Sequence, residues 1–296
     1  GTPQASRQGA VQIRPEAGRR PRGPVGGGGG RLLDTLALKL IVTPILIGAA
    51  TLAGRRWGEG VGGSLVALPL TSGPIVFFLA LDHGVAFAAA AAVGSLAGAI
   101  AQAAFCLAYG WLAPRRHWLL SLLAGGFAFA AAGAALQPWA PSLALLLLGV
   151  IAAIAIAFRL MPRGSEASQA SATPPWDIPA RMVVTTTLVV LLTGLAPALG
   201  PRLAGLLATF PLYAAILAVF AHRQDGPDPA TRVLRGLLLG LLAFAGFFGV
   251  LGALIERVGV TASFAAAIAV ALVLQAASLR ILRQDPRKAA RRLPLA

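Results

Sequence analysis

The chain contains one segment twice, in the same order and without gaps between the matching positions. When residues 39–112 are shifted forward by 142 positions, 20 of the 74 aligned pairs are identical. The composition alone would give about eight. Six identical pairs are glycines, and another is Pro69 with Pro211. A repeat of this length predicts two copies of one structural unit.

Both copies consist of long apolar runs. The chain is 57% hydrophobic and 12% charged, with a mean hydropathy of +0.78, whereas soluble domains carry about 25% charged residues. Each run is close to the length that crosses the hydrocarbon core as a helix. We therefore predict an all-α, polytopic membrane protein with about nine transmembrane helices. The predicted spans are 33–53, 61–81, 86–112, 118–136, 142–161, 180–199, 203–221, 234–255 and 260–280.

The predicted spans divide the chain into two repeats of four helices joined by a linking helix. A glycine-rich basic tail, expected to be disordered, comes first, and a shorter basic tail comes last. Because five crossings precede the second repeat, the two copies should have inverted orientations. The predicted boundaries are 1–31 for the first tail, 32–140 for repeat A, 141–178 for the linking helix and polar linker, 179–283 for repeat B and 284–296 for the basic cytoplasmic tail.

The positions of the basic residues favour the inverted arrangement. The formal charge of +15 would suggest nucleic acid in a soluble protein, but here the arginines lie beside apolar spans, where they set topology and contact anionic lipids. If the first span begins outside, sixteen basic residues lie inside, and only Lys39, Arg202 and Arg257 lie outside with the six of the first tail. If that tail lies inside, eight spans with parallel repeats become the alternative.

The second helix of each repeat is the predicted functional site. Prolines remove backbone donors there, and freed carbonyls in a membrane are tolerated only beside protein or a wet cavity. Interrupted helices at matching positions of two halves are typical of transporter sites. A glutamine near the middle of the third span either bridges helices or lines the same cavity. The candidate substrate-binding residues are Pro69, Thr71, Ser72, Gly73, Pro74, Gln102, Thr209, Pro211 and Tyr213.

Small residues recur one helical turn apart at matching positions of the two third helices. Gly94 and Gly98 in repeat A correspond to Gly236 and Gly240 in repeat B. Such spacing lets helices approach closely, so we predict that both pairs pack against equivalent partners. Four matched threonines are expected to bond to their own helix backbone: Thr43, Thr51, Thr185 and Thr193.

Signatures of enzymes are absent from the sequence. It has no HExxH, GxxxxGK[ST] or GxSxG motif. With three histidines and the single cysteine, Cys106, the chain has few of the side chains that most metal sites require. We expect no catalytic residues, no metal site and no cofactor.

The pattern of a glycine, five residues and a proline (Gly63 to Pro69, Gly205 to Pro211) resembles small bacterial inner-membrane proteins of the GlpM type and similar uncharacterised families. The resemblance covers residues 33–280 as two fused copies and implies a shared architecture rather than an activity. In its organisation the chain is also similar to drug/metabolite-type transporters, in which inverted halves became fused.

Together these observations predict a multi-pass protein of the bacterial plasma (inner) membrane. The expected function is a transporter or flippase-like protein for a small molecule or lipid-linked compound, with its site between the broken helices. The alternative is a non-transporting membrane scaffold or a subunit of an envelope complex. The expected partners are the lipid bilayer, anionic lipids at the basic loops and the transported molecule. No nucleic acid is expected, and self-association into a homo-oligomer is left open.

Overall fold

The structure, a computed structural model, describes residues 28–139, 141–162 and 174–283. Within these ranges all the regular elements are α-helices, which confirms the all-α prediction. Helix α1 begins inside the predicted tail, while the rest of that tail, most of the polar linker and the C-terminal tail lie outside the described residues. The helices are α1 (Gly28–Trp57), α2 (Glu59–Val66), α3 (Ser72–His83), α4 (Val85–Leu112), α5 (Trp118–Leu136), α6 (Leu143–Leu160), α7 (Asp177–Ala208), α8 (Leu212–Asp225) and α9 (Pro227–Arg283).

Four of the described helices are long and apolar enough to cross a membrane: Val85–Leu112, Trp118–Leu136, Leu143–Leu160 and Pro227–Leu282. Such helices are stable in a membrane for two reasons. Their side chains are apolar, and each helix satisfies its backbone hydrogen bonds within itself. The chain is therefore a membrane protein.

Helix α9 is a hairpin of two helical arms. Its 57 residues are interrupted at Gly259, where φ is 78°, a conformation that glycine adopts without steric cost. The second arm folds back along the first, since Ser278 Oγ donates to the Leu239 carbonyl at 2.9 Å and Phe247 packs against Phe264. We call residues 227–258 α9a and residues 260–283 α9b.

The second predicted span of each repeat is divided in the structure. In the first half, the predicted span 61–81 is made of α2 and α3, about 12 and 18 Å long at 1.5 Å per residue. Neither alone crosses a hydrocarbon core of about 30 Å. In the second half, α7 continues through the predicted loop at residues 200–202, and the predicted span 203–221 is shared between α7 and α8.

Helix α7 bends along its length. A straight helix of its 32 residues would be about 48 Å long, and α8 returns only about 21 Å. Nevertheless Gln224 near the end of α8 reaches Asp177 at the start of α7, with 2.6 Å between the amide nitrogen and the carboxylate. The two ends can meet only if α7 is bent, so one helix contains the sixth predicted span and the start of the seventh.

The core is formed where short helix α2 packs against α9a through glycines. A Cβ atom added at Gly63 would collide with the Val233 carbonyl, and one at Gly236 would collide with the Gly60 carbonyl. Backbones can approach this closely only when no side chain intervenes. Helix α9b seals the same region, because Gln275 Nε2 donates to Ser64 Oγ at 2.8 Å. Helix α4 packs on α9a beside this contact.

Candidate functional site

Two breaks interrupt helices in the middle of the protein. The first separates Val66, the last residue of α2, from Ser72, and the second separates Ala208, the last residue of α7, from Leu212. Val66 and Ala208 are 142 positions apart, which is the offset of the sequence repeat. The breaks therefore begin at matching positions of the two copies.

The breaks also have the same backbone hydrogen bonds. Around Pro69, the N–H of Leu70 donates to the Leu68 carbonyl at 2.8 Å, and the N–H of Gly73 donates to the Pro69 carbonyl at 2.9 Å. Adding 142 to each number gives the bonds around Pro211, Leu212 to Phe210 at 2.8 Å and Ala215 to Pro211 at 2.8 Å.

The geometry of the second break follows from its proline. Pro211 has φ −77° and ψ 58°, which is an inverse γ-turn. Proline supplies the fixed φ and lacks the N–H that would continue the helix. In this turn the N–H of Leu212 donates to the Phe210 carbonyl. The helix can therefore be interrupted inside an apolar protein without leaving that carbonyl unpaired.

Each break lies against a glycine of the other half of the chain. A Cβ atom added at Gly98 in α4 would come within 2.8 Å of Thr209 Cβ in the second break. A Cβ atom added at Gly240 in α9a would come within 2.6 Å of Ala67 Cβ in the first break. Gly98 and Gly240 are 142 positions apart, and so are Ala67 and Thr209. Gly94, in contrast, has no atom within 4 Å of an added Cβ.

A cavity of about 730 Å³ lies between the two breaks. Its outer end is bounded by Gln137 and the exposed Trp139 at the end of α5 and by Pro141 before α6. Its inner end reaches Gln102, near the middle of α4, and the second break. This volume is in the range of sites for small organic ligands.

The cavity brings together six of the nine predicted site residues. Three others do not line it: Pro69 lies in the turn of the first break, Gly73 is buried against Phe247, and the side chain of Pro74 is exposed on the outside of α3. The predicted residues that line the cavity are Thr71, Ser72, Gln102, Thr209, Pro211 and Tyr213.

Two polar side chains at the inner end differ in their hydrogen bonding. The Tyr213 hydroxyl and Thr43 Oγ1 share a hydrogen bond of 3.1 Å. Gln102 is 8% exposed, and within the described part of the chain no hydrogen bond reaches its amide. Because the amide atoms of Gln102 face the cavity rather than being fully buried, a molecule there that supplies a donor and an acceptor would pair with them.

The threonine predictions are confirmed at two positions and wrong at one. Thr51 Oγ1 donates to the Ile47 carbonyl at 2.7 Å, and Thr185 Oγ1 donates to the Arg181 carbonyl at 2.6 Å. Thr43 instead bonds to Tyr213, because the two halves of the chain meet there. The side chain of Thr193 lies outside the described residues.

Several residues that line the cavity were not predicted from the sequence. Phe244 faces the cavity from α9a, and its position is that of Gln102 plus 142. The repeat could have indicated it, because six pairs of lining residues have this offset. These pairs are Ala67 and Thr209, Leu68 and Phe210, Thr71 and Tyr213, Ser72 and Ala214, Ser95 and Leu237, and Gln102 and Phe244.

Aromatic packing closes the protein below the cavity. The rings of Phe105 and Phe129 lie 5.5 and 5.3 Å from that of Phe210, both edge-on. Below them the Tyr109 hydroxyl lies 3.3 Å from His222 Nδ1, a hydrogen-bond distance. Phe105, Phe129 and Tyr109 are at most 2% exposed. Buried aromatic rings therefore pack beneath the inner end of the cavity.

A buried carboxylate links helix ends on the closed side. Asp177 accepts bonds from Arg55 Nη2 at 2.7 Å, Arg181 Nε at 2.9 Å and Gln224 Nε2 at 2.6 Å. Burial acts to raise the pKa of Asp177, but the hydrogen bonds from Arg181 and Gln224, the charge of Arg181 and the bond from Arg55 outweigh it and lower the pKa. The carboxylate is therefore charged at neutral pH and joins α1, α7 and α8.

No group of three or more His, Cys, Asp or Glu side chains suited to hold a metal ion occurs among the described residues. Comparisons of the chain with models of protein families, with curated proteins and with solved structures found no match. The resemblance to GlpM-type proteins stays a prediction.

Proposed function

We propose that this chain is an integral membrane transporter, flippase-like in its action, that binds a small molecule in the cavity between the two helix breaks. One observation carries the proposal: the proline turns around Pro69 and Pro211 begin at matching positions, share their hydrogen bonds and both border one cavity. Breaks in membrane helices lie where the backbone lines a cavity, and paired breaks are typical of transporter sites.

The site would lie on a two-fold axis relating two repeats. Six pairs of lining residues at an offset of 142 support this. The glycine contacts support it as well. Gly98 contacts Thr209, and the residues at the matching positions of the opposite halves, Gly240 and Ala67, also contact each other. Such an exchange of partners is what a two-fold relationship produces.

Inversion of the repeats is supported by antiparallel contacts between matching helices. The end of α1 meets the start of α7 through Arg55 and Asp177. The start of α4 lies near the end of α9a, where a Cβ atom added at Gly252 would be 3.6 Å from the Ala92 Cβ. Repeats related by an axis along the membrane normal would run parallel.

Nine crossings are supported by contacts between helix ends that the topology assigns to the inner side. Trp111 Nε1 at the end of α4 donates to the Leu160 carbonyl at the end of α6 at 2.8 Å. Arg235 Nη1 donates to the Phe158 carbonyl at 2.9 Å. The guanidinium of Arg223 stacks over the ring of Trp118 at 5.4 Å. These basic residues fit the cytoplasmic side of a bacterial plasma membrane and contacts with its anionic lipids.

Transport would require the closed end to open. In the arrangement described, the cavity reaches the outer end, and the ring of Phe210 and the Asp177 network close the inner end. Because α8 begins at the break and carries Gln224, which bonds to Asp177, near its other end, a pivot at Pro211 would release both closures together. Exchange of the two repeats between equivalent arrangements would supply the alternating access.

Reporter fusions test the topology. Fusions after residues 84, 165 and 226 should report the outer, inner and inner sides. Reporters after 84 and 226 on the same side would exclude inversion.

Accessible cysteines test the aqueous pathway. Thr71→Cys and Tyr213→Cys should react with a membrane-impermeant maleimide added from outside. The unchanged chain is the matched control, because its single cysteine, Cys106, is fully buried. If neither position reacts from either side of the membrane, the cavity is not a transport site. The non-transporting scaffold or envelope-complex subunit would then be the better interpretation.

A further inference from the structure

The chemistry of the cavity wall restricts what the cavity can bind. Of the described residues that line it, none carries a charged side chain. A charged molecule in the cavity would lose its hydration and meet no opposite charge, which is strongly unfavourable in a low-dielectric site. The wall therefore selects for molecules without net charge.

Several polar side chains lie on the cavity wall around the two helix breaks. The hydroxyls of Thr71, Ser72, Thr209 and Tyr213 lie around the two breaks, and the amide of Gln102 lies beside them. Tyr213 already bonds to Thr43, whereas no described residue hydrogen-bonds to the amide of Gln102, which is 8% exposed. This amide is available to a donor and an acceptor of a ligand in the cavity.

Most of the remaining lining residues are apolar. Ile75 in α3 and Phe87 in α4 line the cavity, and their side chains are 38% and 50% exposed. An apolar chain could enter between α3 and α4 without crossing a polar barrier. Trp139 at the outer end is suited to the interface between lipid and water.

We propose that the cavity binds an uncharged amphipathic molecule. Its hydrogen-bonding end, such as an amide or hydroxyl, lies against Gln102, and its apolar chain lies along Ile75 and Phe87 toward the outer leaflet. This inference rests on the proposed transport function and narrows it, since it excludes substrates with an ionised phosphate, carboxylate or ammonium group.

Protection of a cysteine from labelling tests the charge preference. The full-length Thr71→Cys variant in lipid vesicles is labelled from outside with an impermeant maleimide in the presence of octanamide, octanoate or octylammonium. These probes share one chain length and differ in charge. We expect octanamide to protect at concentrations at least about tenfold lower than either ion, because an unpaired charge costs more than one factor of ten in affinity. Thr261→Cys, at an exposed position beside the Gly259 bend, is the matched control and should react equally with every probe.

The outcomes separate this inference from the function on which it rests. If Thr71→Cys reacts but an ion protects as well as octanamide, or if no probe protects, the neutral-ligand inference is wrong and the open cavity remains. If neither Thr71→Cys nor Tyr213→Cys reacts from either side, the proposed transport function itself is wrong.

A second variant tests the assignment of the polar end. Gln102→Glu in the Thr71→Cys background places a carboxylate at the inner end of the cavity. Octylammonium should then protect better than octanamide, which reverses the order found with glutamine. An unchanged order would mean that the polar end of the ligand does not lie against residue 102.

Discussion

Thr209 lies directly against Gly98, and a Cβ atom added at Gly98 would come within 2.8 Å of the Thr209 Cβ. This contact joins the middle of α4 to the second helix break. It fixes the depth of the break in the protein, because the backbone of α4 can approach only where it carries no side chain. The position of the second break at the inner end of the cavity therefore depends on the absence of a side chain at residue 98.

The first prediction concerns this contact. Gly98→Ala should destabilise the protein by about 1–3 kcal/mol, since an extra methyl in a packed interior forces the backbone or neighbouring side chains to move. Gly94→Ala, in the same helix, should be neutral or stabilising by up to about 1 kcal/mol, because alanine favours the helix and nothing lies within 4 Å of the new Cβ. The measurement is thermal unfolding of both variants in one detergent. Equal effects at the two positions would contradict the packing described here.

The helix breaks were predictable from sequence because their cause is local. Pro69 and Pro211 lack an N–H wherever they occur, and both apolar spans break beside them. The offset of 142 identified the matching position in the second half without knowledge of the fold. The candidate residues around the turns followed from this, and six of the nine line the cavity.

The missed features depend on contacts between distant segments. Thr43 bonds to Tyr213 rather than to its own helix, because α1 of one half meets α8 of the other. Phe244 reaches the cavity only because α9a packs on α4. Local propensity contains no information about such pairings. The continuous helix through residues 200–202 was also not predicted, because the predicted spans 180–199 and 203–221 left a loop there.

The second prediction concerns the buried Asp177. Asp177→Asn should cost about 3–5 kcal/mol, because it leaves Arg181, which is 5% exposed, without its charged partner. Arg55→Gln should cost less, since Arg181 and Gln224 still bond to the carboxylate. The lowered pKa gives the sign of the pH dependence. The stability from Asp177 is present above its ordinary pKa of 3.8 and is lost as the pH falls through the folded value.

Unfolding temperatures of the wild type and Asp177→Asn should therefore differ by a constant amount from pH 5 to pH 8 and converge below about pH 4. A difference that grows on acidification would show that the carboxylate is not the stabilising partner of Arg181.

The third prediction concerns Glu59 at the start of α2. Burial, the largest cause, raises its pKa, and the charges of Asp225 and Asp177 add to this, while Arg181 and Arg232 oppose it. The folded protein thus binds this proton more tightly than the unfolded chain. The contribution of protonated Glu59 to the free energy of unfolding is complete below pH 4.5. It is lost as the pH rises through the pKa of Glu59 in the folded protein.

Glu59→Gln cannot lose a proton, so it should raise the unfolding temperature at pH 8 and leave it unchanged at pH 4. Glu256→Gln at an exposed position controls for the removal of a carboxylate as such. A destabilised Glu59→Gln at pH 8 would mean that the carboxylate forms a net favourable ion pair with the nearby arginines.

The fourth prediction tests whether the bond between Tyr213 and Thr43 holds the second break against α1. Tyr213→Phe and Thr43→Val each remove one hydroxyl, and each should cost about 1 kcal/mol in the free energy of unfolding. Because the two groups satisfy each other, the double variant should cost less than the sum of the single variants, with a coupling of about 1 kcal/mol. Thr51→Val is the matched control, since its hydroxyl donates to the Ile47 carbonyl of its own helix. It should show no coupling with Tyr213→Phe. Additive effects at positions 43 and 213 would mean that packing alone holds α1 against the start of α8, and α8 would then be free to pivot at Pro211 without breaking a hydrogen bond at its first turn.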